Sequence, residues 1–135
     1  MENQAVKPAI MVVDDDSTTL MIVESILAQD YSLKLFHNCH DAMDYAIANP
    51  PDLILLDILM PKMDGFQACR MLKEIPELKN IPVIFITAKN DAEYIMYGFS
   101  IGASDYLPKP IDASVLTAMI NKHLKHKVGD DSHQG

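Results

Sequence analysis

Leu53-Ile54-Leu55-Leu56-Asp57-Ile58-Leu59-Met60-Pro61 is the stretch that decides the fold. Four apolar residues in a row, too few for a helix and closed by an acid and a proline turn, describe a strand covered on both faces. Strands of that kind belong to parallel sheets flanked by helices. Val83-Ile84-Phe85-Ile86 repeats the pattern. Ala9–Val13, Leu33–Phe36 and a short run around Tyr106 supply three more strands, of which Leu33–Phe36, interrupted by Lys34, reads as an edge. Between them lie segments of helical period. The first opens near Ser17, which can cap it, and sets Leu20, Val23, Ile26 and Leu27 on one face. Others cover Ala42–Ala48, Phe66–Lys73, Ala92–Phe99 and Ser114–His123, the last with Val115, Leu116, Met119 and Ile120 turned inward. Asn49-Pro50-Pro51 separates the second helix from the third strand, and Pro76 ends the third helix. Five strand and helix pairs in alternation predict an α/β domain around a parallel sheet.

Residues 9–126 form that domain, with 1–8 and 127–135 expected as tails, the second either a natural end or the start of a truncated linker. With 135 residues, 49% hydrophobic and 22% charged, the chain has the balance of one globular domain. Asp, Asn, Lys or Pro interrupts every hydrophobic run short of the roughly 20 residues that cross a membrane. Nineteen acids against eleven Lys plus Arg, a formal charge of −8, would repel a nucleic-acid backbone. Cys39 and Cys69 have no metal-type spacing and no secretory leader opens the chain, so a reduced, cytoplasmic setting is expected.

In open parallel sheets ligands bind beyond the carboxyl ends of the strands. Strand one ends in Asp14, Asp15 and Asp16, strand three in Asp57, strand four in Thr87 and Ala88, and strand five is followed by Lys109. Carboxylates crowded on one rim repel one another unless a proton or cation intervenes. A hard divalent ion suits Asp14, Asp15, Asp57 and the backbone carbonyl of Leu59; Mg²⁺ is the expected ion, with Mn²⁺ an alternative. Such an ion, the Lys109 ammonium and the Thr87 hydroxyl would stabilise a phosphoryl group while Asp57 attacks it as nucleophile.

Val12-Val13-Asp14-Asp15, Asp57-Ile58-Leu59-Met60-Pro61-Lys62-Met63-Asp64-Gly65, Thr87-Ala88 and Tyr106-Leu107-Pro108-Lys109-Pro110, in that order, resemble the receiver domain of two-component response regulators over about residues 7 to 126. The resemblance implies a flavodoxin-like (βα)₅ fold with strand order 2-1-3-4-5. It implies that Asp57 is phosphorylated by a histidine kinase or histidine phosphotransfer protein in a phosphorelay. The domain would be a switch, not a conventional enzyme, catalysing its own phosphorylation and dephosphorylation. By the same resemblance Asp14, Asp15, Asp57 and the Leu59 carbonyl hold Mg²⁺, Lys109 pairs with the phosphoryl group, and Lys109-Pro110 is cis. Thr87 and Tyr106 would couple loading to the face of the fourth helix, fifth strand and fifth helix, where an output domain, a partner or a second copy would bind. Leu59, where family members often carry a polar residue, and Lys89, two after Thr87, are expected to tune autodephosphorylation. Ile58 stands in a chain without Trp, so no intrinsic Trp signal would report activation.

Plainer readings stand beside these. Asp16 serves as a loop acid or helps Ser17 cap the helix, and Asp64-Gly65 is turn chemistry, with glycine permitting a positive φ. His123 and His126 mark a solvated helix end, and Met21, Met43, Met71 and Met119 fill the core, while Met96 and Tyr97 suit a partner face. Asp14-Asp15-Asp16-Ser17-Thr18 also fits the D-x-D-x-T signature that resembles haloacid-dehalogenase-type phosphatases. There Asp14 would be nucleophile and Asp16 acid or base, with Gly129-Asp130-Asp131 the late acids; that reading leaves Asp57 without a role. A phosphate-independent interaction module is the third reading.

Overall fold

Alternate residues of the central strands leave the sheet in opposite directions, and that period of two divides the core in half. The computed structural model describes residues 6–61, 63–88 and 91–132, with side chains to residue 124. In chain order the elements are β1 (Ala9–Val13), α1 (Ser17–Leu27), β2 (Ser32–Phe36), α2 (Cys39–Ala48), β3 (Leu53–Asp57), α3 (Gly65–Lys73), β4 (Val83–Thr87), α4 (Ala92–Ser100), β5 (Asp105–Pro108) and α5 (Ala113–Ser132). All four strand pairings are parallel and the order is β2-β1-β3-β4-β5, the doubly wound arrangement expected. β3 and β4 are buried at every residue. Met11, Val13, Ile54, Leu56, Val83 and Phe85 pack with Ala42, Met43, Cys69 and Leu72 of α2 and α3 on one face. Ile10, Val12, Leu53, Leu55, Ile84 and Ile86 meet Leu20, Val23 and Leu27 of α1 and Leu116, Ile120 and Leu124 of α5 on the other. β2 is the half-exposed edge, and Lys34 on it stands over the Tyr45 ring, 5.6 Å from its centroid.

Several expectations are corrected. Asp16, one residue before Ser17, is the N-cap of α1, its Oδ1 accepting the Thr18 amide at 2.9 Å. Asp64 caps α3 by accepting the Gln67 amide at 2.8 Å. Gly65 does not occupy the left-handed region; among described glycines only Gly102, at φ 112°, does. Gly65 is needed for space, because a Cβ there would lie 2.3 Å from the Asp57 carbonyl oxygen. Met43 is buried, but Met21 is 67% and Met71 41% exposed, so the apolar character of these two does not fill the core. α5 continues past His123 to Ser132, since no proline interrupts it and a single Gly129 costs a helix only about 1 kcal/mol. His126 and the late acids Asp130 and Asp131 lie outside the residues whose side chains are described.

Candidate functional site

The strand order changes direction between β1 and β3, and a crevice opens at such a point beyond the carboxyl ends of the strands. Register then sets which residues line it. Val13 pairs with Leu56, so the next step along β1 and β3 brings Asp14 level with Asp57. Asp57 pairs with Ile86 and Thr87 with Pro108, which puts Thr87 one step beyond Asp57, and Lys109 one step beyond the end of β5. The Lys109 amide donates to the Thr87 carbonyl at 2.9 Å, tying those two residues together.

Asp14 and Thr87 have no exposed surface and Asp57 almost none, whereas Asp15 is exposed. One carboxylate oxygen from each of Asp14, Asp15 and Asp57 lies within 4.8 Å of the others. Lys109 Nζ stands 3.0 Å from Asp14 Oδ2 and 3.8 Å from Asp57 Oδ2. Asp14 Oδ1 accepts the Asp16 amide at 2.9 Å. Its Oδ2 is buried and, though ion-paired with Lys109, receives no hydrogen bond of good geometry among the described residues. Burial, and after it the charge of Asp14, pushes the Asp57 carboxyl up to about 7, against the pull of Lys109 and the Leu59 amide. Burial alone would lower Lys109, yet Asp14, Asp57 and Asp16 outweigh it and raise the ammonium above its ordinary value.

An incompletely bonded buried oxygen, a carboxyl that resists ionising and a third acid open to solvent form a donor set with an unmet demand for positive charge. All three are oxygen donors of the kind Mg²⁺ prefers, so the residues present fit that ion. The Leu59 amide reaches Asp57 Oδ1 at 3.4 Å, holding residue 59 against the site while its side chain, 45% exposed, points away from the core. Lys89 lies outside the described residues, as does Lys62. Asp16, the acid or base of the phosphatase alternative, turns its carboxylate to the Thr18 amide and the Thr19 hydroxyl, at 2.9 and 3.4 Å. Tyr106, paired with Phe85 of β4, packs against the core, and its hydroxyl is buried with no hydrogen-bond partner among the described residues. Burial and then Asp91 raise that hydroxyl's pKa. The Lys109-Pro110 bond is cis.

Two features escaped the sequence reading. Gly65 brings the start of α3 against the site backbone, its amide donating to the Ile58 carbonyl at 2.9 Å. His123 does not mark a solvated end: its Nε2 lies 2.9 Å from Asp105 Oδ2, with Lys122 Nζ 3.6 Å from the same oxygen, so α5 is tied to β5 beside Tyr106. The 18-residue separation of this pair gives no local signal.

Comparison with known proteins gives consistent relatives. The family model of the response regulator receiver domain matches residues 10–121. The transcriptional regulatory protein SpaR of Bacillus subtilis is 37% identical over 93% of this chain and 55% of its own length. The response regulator PleD of Caulobacter vibrioides is 39% identical over 88% of this chain and 26% of its own. The chain thus spans between about a quarter and about half of these relatives. Among solved structures, the beryllofluoride-activated DrrB receiver domain superposes with a TM-score of 0.80 at 33% identity, covering 89% of this chain and 99% of that one. The receiver domain of a signal transduction histidine kinase from Syntrophus aciditrophicus gives 0.81 at 33% identity, covering 88% and 91%. Among described residues no helix is long and apolar enough to cross a membrane.

Proposed function

Since the chain belongs to the response regulator receiver family, whose members are signalling switches, we propose that it takes a phosphoryl group on Asp57 from a histidine kinase or histidine phosphotransfer protein and relays that state to an output partner. The observation that carries this reading is the convergence of Asp14, Asp15 and Asp57 at the switch point of the sheet, with the Lys109 ammonium on Asp14 and Asp57. Receiver domains typically use Mg²⁺; Asp14, Asp15, Asp57 and the Leu59 carbonyl would hold it, and it would supply positive charge to the phosphoryl oxygens. A carboxylate oxygen of Asp57 attacks phosphorus in line, the phosphorus–nitrogen bond of the donor breaks, and its electron pair leaves with the imidazole. Asp14 orients the Lys109 ammonium, which moves to the new phosphoryl oxygens, and the Thr87 hydroxyl approaches them from the neighbouring strand.

Displacement of Thr87 carries the Lys109 backbone with it through their hydrogen bond, which gives Tyr106 on β5 a reason to respond. The face of α4, β5 and α5 would then engage an output domain, a separate partner or a second copy, and Leu59 and Lys89 would set the lifetime of the aspartyl phosphate. We place the domain at residues 9–126, in the cytoplasm. Hydride reduction of the loaded protein converts an aspartyl phosphate to an alcohol that peptide mapping locates: the product belongs at Asp57, and a product at Asp14 overturns the assignment in favour of the phosphatase reading.

A further inference from the structure

α4 is the most lightly buried helix of the fold. Of its nine residues only Gly98 is buried, its N-cap Asp91 makes no side-chain cap bond, and Met96, Phe99 and part of Tyr97 face solvent. What holds it is a set of rings. Gly98 lets the helix approach the Phe85 side chain, where a Cβ would come within 3.0 Å of the ring. Phe66 of α3 meets Phe85 edge to face at 5.4 Å and Tyr97 of α4 edge to face at 4.8 Å, and it lies 5.6 Å from Tyr94 at a tilt. One helical turn after Phe66, Arg70 donates from Nη1 to the Tyr97 hydroxyl. Phe66 and Arg70, at i and i+4, therefore grip one tyrosine between them. α3 is itself fixed to the phosphoacceptor strand, because the Gly65 amide bonds the carbonyl of Ile58, the residue after Asp57. α4 thus hangs on a helix that is anchored beside the site.

We propose that Phe66 and Arg70 are positioning residues, a latch that holds α4 in the arrangement described and so sets how readily Asp57 accepts its phosphoryl group. The inference rests on the receiver reading. A ligand shifts an equilibrium only by its differential affinity for the two states, so the work of moving α4 off the latch is subtracted from the affinity at Asp57. Weakening the latch then tightens binding at a site it does not touch.

The test uses the whole chain with Mg²⁺ and beryllofluoride, a phosphoryl mimic. Arg70→Met keeps the stem and removes the donor, and Tyr97→Phe keeps the ring and removes the acceptor. Each should lower the half-saturating concentration about five-fold, the weight of one hydrogen bond, and the double variant should do no more than either alone. Phe66→Leu should lower it further, and amide exchange should quicken in residues 92–100 while β1 and β3 stay protected. Half-saturation unchanged or raised in variants that still unfold in one cooperative transition overturns the latch, since a contact that only packs leaves this affinity alone. A wild-type chain that binds Mg²⁺ but no beryllofluoride removes the receiver reading itself, and the latch with it.

Discussion

Substituting Gly65 by alanine sets two effects against each other, and the structure decides the sign. Gly65 is the first residue of α3, and alanine is favoured over glycine inside a helix by about 1 kcal/mol, less at the first position. Against that gain, the new Cβ would stand 2.3 Å from the Asp57 carbonyl oxygen and 2.8 Å from Ile58 Cα, both backbone atoms that cannot rotate aside. Relief requires the start of α3 and the end of β3 to separate by about an ångström, and overpacking of this kind costs about 1–3 kcal/mol. The net loss is about 1–2 kcal/mol, a fall in melting temperature of about 4–8 °C for a domain of this size. The displaced atoms belong to the phosphoacceptor residue, so labelling by acetyl phosphate should slow about ten- to a hundred-fold, as misplacements of that size do. Urea denaturation and a labelling time course measure the two. Gly65→Asn separates close approach from a left-handed backbone, because asparagine tolerates positive φ but is bulkier than alanine. A neutral or stabilising Gly65→Ala, or an asparagine variant more stable than the alanine one, refutes the steric account.

Other outcomes follow from the charges. Asp57 binds its proton more tightly folded, at about 7, than unfolded. In EDTA the Asp57 contribution to stability should therefore be complete below about pH 4 and be lost as the pH rises through about 7, and Asp57→Asn should abolish that part of the pH dependence. At neutral pH the variant should gain about 1–3 kcal/mol by urea denaturation, less than the full shift implies because Asp14 and Lys109 share the proton and solvent screens part of it. Mg²⁺ should raise the melting temperature of the wild type and leave Asp57→Asn and Asp14→Asn nearly unmoved; equal shifts in all three would place the ion elsewhere. For Asp105, burial raises the carboxyl but the hydrogen bond from His123, the Tyr106 amide and Lys122 outweigh it, so its folded pKa is depressed. Its contribution is present above about pH 4 and lost as the pH falls through the folded value; acid titration of the unfolding midpoint should be shallower in His123→Gln.

What the sequence made legible follows from how local each cause is. β3 and β4 announce themselves because a strand buried on both faces tolerates only apolar residues, and the rim acids are visible because they abut those strands. The cap of α1 is displaced by one residue because Asp16 and Ser17 are both good capping types, and only the backbone angles choose between them. Gly65 is recognisable as necessary, but a positive φ and a close approach both select glycine, and telling them apart needs the position of the Asp57 carbonyl. Met21 and Met71 are apolar yet face solvent, since their helices turn other residues to the sheet. The ties from His123 to Asp105 and from Arg70 to Tyr97 join residues far apart in the chain and leave no periodic trace.

The central claim is that Asp57 accepts one phosphoryl group with the help of a divalent ion. Intact mass after incubation with Mg²⁺ and acetyl phosphate, beside an EDTA control and Asp57→Asn, tests it most directly. The account predicts a single phosphoryl adduct on the wild type, absent without the ion and absent from the variant. An adduct that persists in Asp57→Asn, or none on a wild type that binds Mg²⁺, would contradict it.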